Sequence, residues 1–238
     1  MLVKIYNLIK NYLSIPKTIV SLIVSNKKKV AVIGNSEILS KKKYGKIIDK
    51  HDFVIRFNRS PVLRYKKIVG SKTHLRVCGE GVFENKEYKV IGLEYLGEKK
   101  NYIKNLKNSN ILVLHNKEEK YYSSNIKKYT SETNKIFYFN LKYERFLKFK
   151  IFSHLTFFRR IKLFKSSTQF TSGMMIISIL ILNNIKPSIF GFSLKKKSSF
   201  YKSYWQKGAE IKKPVHDLEL ENKLLKKFIT LKKITYYN

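Results

Sequence analysis

The chain has 238 residues, 43% hydrophobic and 14% aromatic, which supports one good-sized domain with a real core and excludes disorder as the default. Lys and Arg total 50 against 16 Asp and Glu, a formal charge of +34. That excess points to an anionic partner, although a coding bias toward Lys, Ile, Asn, Tyr and Phe accounts for it equally well. The single cysteine, Cys78, excludes an intrachain disulfide and a cysteine-type zinc site.

Residues 1–26 read as a basic amphipathic segment and residues 27–238 as one domain. In the first segment Leu2, Ile5, Leu8, Ile9, Tyr12 and Leu13 recur at helical spacing, with Lys4 and Lys10 between them. Such a helix either packs on the domain or lies on an anionic membrane surface. No apolar run approaches the ~18–20 residues that span a bilayer. No small-residue cleavage site follows one either, so a signal peptide is not expected. The expected location is cytoplasmic, peripheral on the membrane at most.

Short apolar runs then predict buried strands at Val30–Ile33, Phe53–Phe57, His74–Val77, Val90–Leu93, Ile111–His115, Ile136–Phe139 and Ser188–Phe192. Helical patterns fall at Lys42–Asp49, at Met174–Asn184, which is apolar nearly all round, and at Glu219–Leu231. Alternating strands and helices predict an α/β fold, a single domain with a mostly parallel central sheet flanked by helices. Ligands of such sheets sit beyond the carboxyl ends of the strands, near helix N-termini.

Four segments carry candidate chemistry. The first strand runs into Gly34-Asn35-Ser36, where glycine permits a close turn, Asn35 offers a donor and an acceptor, and Ser36 can cap a helix. The second strand ends in Arg56, Asn58 and Arg59, two cations and an amide suited to an anionic nucleotide. Arg56 is equally readable as a packed structural arginine. Thr171-Ser172-Gly173 opens the apolar helix, a place where exposed N–H groups and hydroxyls attract an anion or merely cap. The strand after it ends in Phe190-Gly191-Phe192. His216 stands just before the last helix, where the helix dipole favours a neutral imidazole fit for general-base work; Asp217 can cap that helix and Glu221 follows.

Absences narrow the chemistry. The chain has only three aspartates, Asp49, Asp52 and Asp217, so it contains no Asp-x-Asp pair of the kind that holds a divalent cation on a diphosphate. It has no phosphate-binding loop with Gly-x-x-x-x-Gly-Lys-Ser/Thr spacing. No metal or other cofactor is expected.

Taken in order, these segments resemble the sialyltransferases of glycosyltransferase family 29 over roughly Lys29–Leu225. "VAVIGNSEILSKKKYGKIIDKHDFVIRFNRSPV" with "VGSKTHLRV" is similar to the family's large motif, and "TSGMMIISILILNNIKPSIFGF" to its small motif. "SYW" at Ser203–Trp205 resembles the third motif, and "HDLELE", with His216 and Glu221 at His-x4-Glu spacing, the very small motif. The resemblance implies a variant GT-A fold, Rossmann-like with a seven-stranded sheet. It also implies metal-independent, inverting transfer of a sugar acid, sialic acid or Kdo-like, from a CMP-activated donor to a glycan or glycolipid hydroxyl. It assigns Asn35, Asn58, Ser172 and Gly173 to the CMP, with Ser36, Arg56, Thr171, Phe190, Gly191 and Phe192 beside it. His216 becomes the catalytic base, with Glu221 of the same motif.

Two departures stand out. Val30 occupies a family cysteine position, so the family's disulfide is absent, as suits a cytosolic relative. Ser203 replaces the third-motif histidine, which shifts leaving-group stabilisation to Ser203, Tyr204 or Tyr201. This keeps open a catalytically degenerate CMP-binding relative. A basic nucleic-acid or membrane-surface module is the remaining alternative. No nucleic-acid-binding motif is present, so no nucleic-acid partner is expected. The aromatic, basic stretch Arg145–Lys165 fits either an anionic membrane surface or a helix packed over the site.

Overall fold

The computed structural model describes residues 29–58, 60–79, 109–115, 133–141, 144–152, 169–194, 200–201, 203–204, 211–212 and 216–238, with Ser21, Val82, Leu106 and Ile126 as isolated positions. The rest of the N-terminal segment, the expected strand Val90–Leu93, Arg59, Trp205 and residues 153–168 lie outside the described residues, as does the Tyr201 side chain.

Seven parallel strands form the central sheet: β1 (Val30–Ile33), β2 (Phe53–Phe57), β3 (Leu75–Gly79), β4 (Asn110–His115), β5 (Ile136–Asn140), β6 (Ser188–Phe190) and, beyond a short antiparallel ribbon, β9 (Thr235–Tyr237). The ribbon pairs β7 (Phe200–Tyr201) with β8 (Ile211–Lys212). The sheet order is β5-β4-β3-β2-β1-β6-β9, and every neighbouring pair is parallel. Every residue of β1 and β2 is buried, which explains why these strands read as unbroken apolar runs rather than alternating ones.

The pleat divides β1 between two cores. Val30 and Val32 face the cluster that holds helices α4 (Ser172–Leu182) and α5 (Leu218–Thr230), while Ala31 and Ile33 face Leu39, Tyr44 and Ile48. Leu39 belongs to a 3-10 turn at Glu37–Lys41 and Ile48 to α1 (Gly45–Asp49); α2 (Lys66–Val69) packs against α1. Helix α3 (Glu144–Ile151) packs on α4, with Leu147, Ile151 and the following Phe152 buried in the larger core. The described part of Arg145–Lys165 is thus a packed helix. Among the described residues no helix is long and apolar enough to cross a membrane.

The strand order places the site. From β1 the chain steps outward through β2 to β5, then returns to lay β6 on the other side of β1. The β1/β6 junction is the topological switch, and in parallel sheets ligands bind in the crevice outside it. Gly34 and Gly191 are the residues that leave β1 and β6 there.

Candidate functional site

The two loops at the switch are tied together. Gly34 N–H donates to the Phe190 carbonyl at 2.7 Å and Ser36 N–H to that of Gly191 at 3.1 Å. A Cβ on Gly34 would lie 2.4 Å from the Gly191 oxygen, so Gly34 is required by the neighbouring loop. Gly191, at φ +71°, makes the turn that stops β6. Ser36 is the N-cap of the 3-10 turn, its hydroxyl accepting from Ile38 N–H, and its backbone pairs antiparallel with Ser203. The Asn35 carbonyl accepts from Tyr204 N–H at 3.0 Å. Asn35 Oδ1 is buried and has no hydrogen-bond partner among the described residues.

Asn58 stands level with Asn35. Ile33 and Arg56 are partners across β1 and β2, and each asparagine lies two residues beyond. Asn58 takes a left-handed backbone, φ +46°, held by its N–H on Val77 O and by Arg76 Nη1 on its carbonyl. Its Oδ1 accepts from Gly79 N–H at 3.0 Å, so a ligand contact from this side chain must use Nδ2.

Arg56, expected to bind substrate, has a side chain committed largely to its own fold. It is 0% exposed, and its guanidinium donates to the carbonyls of Val69, Gly70 and Lys72 and to Thr73 Oγ1. Burial pulls its pKa down to about 10, still charged at neutral pH. Through Nε and Nη2 it braces the β2–β3 connection, while Nη1 is buried without a hydrogen-bond partner among the described residues. Tyr204 is also engaged within the fold. Its phenol donates to the Pro61 carbonyl, its ring meets Tyr65 edge-on at 5.2 Å, and burial pushes its pKa well above the usual range. It clamps the third motif to the loop after β2 and has no proton to offer a leaving group. Phe190 is 0% exposed and stacks on Tyr237, so its side chain belongs to the core.

Phe192 joins the loop after β6 to the start of α4. Its ring stands 3.1 Å from where a Gly34 Cβ would be and 2.7 Å from where a Gly173 Cβ would be. Both glycines therefore flank one aromatic ring, and the β1 turn lies beside the helix N-terminus. Thr171 caps that helix, its hydroxyl accepting from Met174 N–H at 3.2 Å. Ser172 is the helix's first residue.

His216 arrives from the other side. It forms an isolated parallel bridge with Gln169, and its Nδ1 lies 3.0 Å from the Gln169 carbonyl. A carbonyl only accepts, so Nδ1 carries a proton, and in the neutral ring the lone pair falls on Nε2. Asp217 caps α5 through Leu220 N–H at 2.9 Å. Glu221, expected in a catalytic role, is 5% exposed, and its oxygens accept from Thr171 N–H and, at 2.7 Å, from the Thr171 hydroxyl. Burial raises its pKa to about 7, against the pull of the two Thr171 hydrogen bonds; the Glu144 and Asp217 charges push the same way as burial. Glu221 is a positioning residue that fixes the start of α4.

The contacts tie the Gly34–Ser36 turn to Gly191 and Ser203, set Gly34 and Gly173 against the Phe192 ring and hold His216 on Gln169, while the side chains of Arg56, Tyr204, Phe190 and Glu221 are buried and partnered within the fold. Sequence reasoning missed Gln169 and Pro61, which act through backbone carbonyls that no residue type announces.

The family pattern described as glycosyltransferase family 29 (sialyltransferase) matches residues 3–233 of this chain. The chain belongs to glycosyltransferase family 29. A beta-1,6-galactosyltransferase of Arabidopsis thaliana is 37% identical over 75 residues, 32% of this chain and 19% of that protein. A CMP-N-acetylneuraminate-beta-galactosamide-alpha-2,3-sialyltransferase of Gallus gallus is 52% identical over 46 residues, 19% of this chain and 14% of its own length. The matched segments therefore span less than a fifth of these relatives. A crystal structure of a mammalian sialyltransferase shares the fold at TM-score 0.56 and 18% identity, covering 88% of this chain and 68% of that one. Its complex with Gal-beta-1-3GalNAc-ortho-nitrophenol gives 0.57 and 17%, over 88% and 69%. The seven-stranded parallel sheet with helices on both faces is the variant GT-A fold of the family 29 enzymes.

Proposed function

We propose that this family 29 protein is a metal-independent, inverting glycosyltransferase that moves a sugar acid, sialic acid or Kdo-like, from a CMP-activated donor to a glycan hydroxyl. The observation that carries this reading is a continuous set of contacts. His216 is held on Gln169, Gln169 leads into the capped start of α4, and Gly173 shares the Phe192 ring with Gly34, the neighbour of Asn35. In this reading a base, a helix N-terminus and an amide oxygen without a partner serve one site at the sheet's switch point.

In this reading the Asn35 Oδ1 acceptor takes a ribose hydroxyl or the cytosine amine, and Asn58 Nδ2 supplies a donor. The N–H groups of the first α4 turn and the Ser172 hydroxyl meet the phosphate; Thr171 is already committed to Glu221. His216 Nε2 takes the proton of the acceptor hydroxyl as its oxygen attacks the anomeric carbon, and CMP departs with the electron pair of the broken bond. The leaving group is a monophosphate, whose charge hydroxyls and a helix terminus can meet without a divalent cation. The +34 charge supports an anionic donor and acceptor.

A thermal-shift panel of CMP, CDP, UDP and CMP-sugars, with and without EDTA, tests the reading. Selective stabilisation by CMP and CMP-sugars, unchanged by EDTA, is expected, of about 2.7 kcal/mol at a hundredfold excess over Kd. Because one relative is named for galactosyl transfer, the UDP arm discriminates between donors. His216→Ala should abolish transfer while CMP still stabilises the protein. Selective stabilisation by UDP, or full transfer by His216→Ala, would overturn it.

A further inference from the structure

We propose that Glu144, which lies outside every family motif, is a positioning residue that sets the tautomer of His216. Three consecutive residues before α4 form a strap, each held by a different element. Gln169 O accepts from His216 Nδ1. Phe170 N–H donates to Glu144 Oε1 on α3. Thr171 donates from both its N–H and its hydroxyl to Glu221 on α5. Glu144 and Lys148, one helical turn apart, form an ion pair of 3.0 Å at 3% exposure each, and the ammonium also stands 5.2 Å from the centre of the Phe170 ring. A buried carboxylate is tolerated only when paired and hydrogen-bonded; here Lys148 supplies the pair and the strap amide the bond.

The consequence reaches the imidazole through a single peptide group, because the Phe170 N–H and the Gln169 carbonyl belong to the same planar unit. The Gln169 carbonyl is the group that keeps the proton on Nδ1 and the lone pair on Nε2. At 3.0 Å this bond survives only small displacements, because by 3.6 Å it is no longer a hydrogen bond. Glu221 holds the Phe170–Thr171 peptide through the Thr171 N–H, and Glu144 holds the Gln169–Phe170 peptide, whose carbonyl faces His216. Without that anchor the Gln169 carbonyl loses its aim, and the ring loses the partner that chooses its tautomer.

The inference rests on His216 being the base, and the experiment separates the two ideas by reading the ring without turnover. Nitrogen-15 spectra of histidine-labelled full-length protein report which ring nitrogen carries the proton; His216→Ala assigns the signal. Wild type should show a protonated Nδ1. Glu144→Asp keeps the charge beside Lys148 but shortens the reach to Phe170; it should lose that signature. Its kcat should fall about tenfold or more, with the donor KM within about twofold. Glu144→Gln still offers an oxygen to the Phe170 N–H and should keep the wild-type signature and most of kcat. A folded Glu144→Asp with an unchanged spectrum and kcat would overturn the proposal, as would a Glu144→Gln that falls as far as Glu144→Asp. If Glu144→Asp does not fold, Glu144→Ala combined with Lys148→Met, which removes both members of the buried pair, takes its place, and an unchanged spectrum and kcat there would overturn the proposal equally. A wild-type signature with no turnover of any CMP-sugar would strike the proposed function and leave the strap standing.

Discussion

Glu221→Gln isolates what burial does to a carboxyl at the start of α4. In the folded protein Glu221 titrates near pH 7, against an ordinary value of 4.5, and removal from water is the largest cause. A carboxyl raised in the folded state makes folding favour the protonated form. Its contribution to stability is fully present below about pH 4.5 and is lost as pH rises through about 7. Between those values wild-type stability should fall by about 1.4 kcal/mol per pH unit from this group, about 3 kcal/mol in all. Glutamine keeps the volume and an oxygen for the Thr171 N–H but does not titrate. The unfolding free energy of Glu221→Gln minus that of wild type should therefore rise by about 3 kcal/mol from pH 4.5 to 7.5. Taking the difference cancels the other titrating groups. Urea denaturation at five or six pH values measures it, provided the m-value is unchanged. A difference that does not vary with pH would show that burial does not govern this carboxyl's proton affinity.

Two further substitutions separate bracing from binding. Arg56→Met strips the carbonyls of Val69, Gly70 and Lys72 of their donor and should cost roughly 3 kcal/mol by denaturation, while the folded variant binds CMP with unchanged affinity by calorimetry. Tyr204→Phe leaves the Pro61 carbonyl without its partner and should lower stability by about 1–2 kcal/mol yet retain turnover, whereas Ser203→Ala should lower kcat, measured by release of CMP.

The elements most legible in the sequence are those whose environment is uniform. Val30–Ile33 and Phe53–Phe57 are strands at the expected boundaries because burial on both faces leaves an unbroken apolar run. Other boundaries moved for local reasons. The helix expected at Met174 begins at Ser172, because Thr171 caps it, and ends at Leu182 with Asn184 in the left-handed region, φ +59°. The strand expected to reach Phe192 stops at Phe190, where Gly191 turns at positive φ. The helix expected at Lys42–Asp49 begins only at Gly45, because Lys42 is extended at the end of a capped 3-10 turn that occupies Glu37–Lys41. β9 escaped notice because three residues, one exposed and two half-buried, carry no period.

At the site, the motifs mixed two kinds of residue that spacing cannot distinguish. Arg56 lies within β2, buried beside Arg76, its partner across the sheet, whereas Asn58 follows the strand's last residue and leaves it with a left-handed backbone, φ +46°. Ser203 and Tyr204 are neighbours, and one pairs with the Gly-Asn-Ser turn while the other reaches back to Pro61. His216 and Glu221 belong to one short motif, and the histidine is aimed by Gln169 while the glutamate holds Thr171 two residues further on. In each case a polar residue that braces a loop stands beside one that the loop presents. The division follows from the architecture. A crevice at the carboxyl edge of a parallel sheet is built from loops, and loops hold a fixed geometry only if side chains satisfy their backbone groups. Arg56, Tyr204, Glu144 and Glu221 do this with carbonyls and amides as partners, so the residues they serve leave no mark in the sequence.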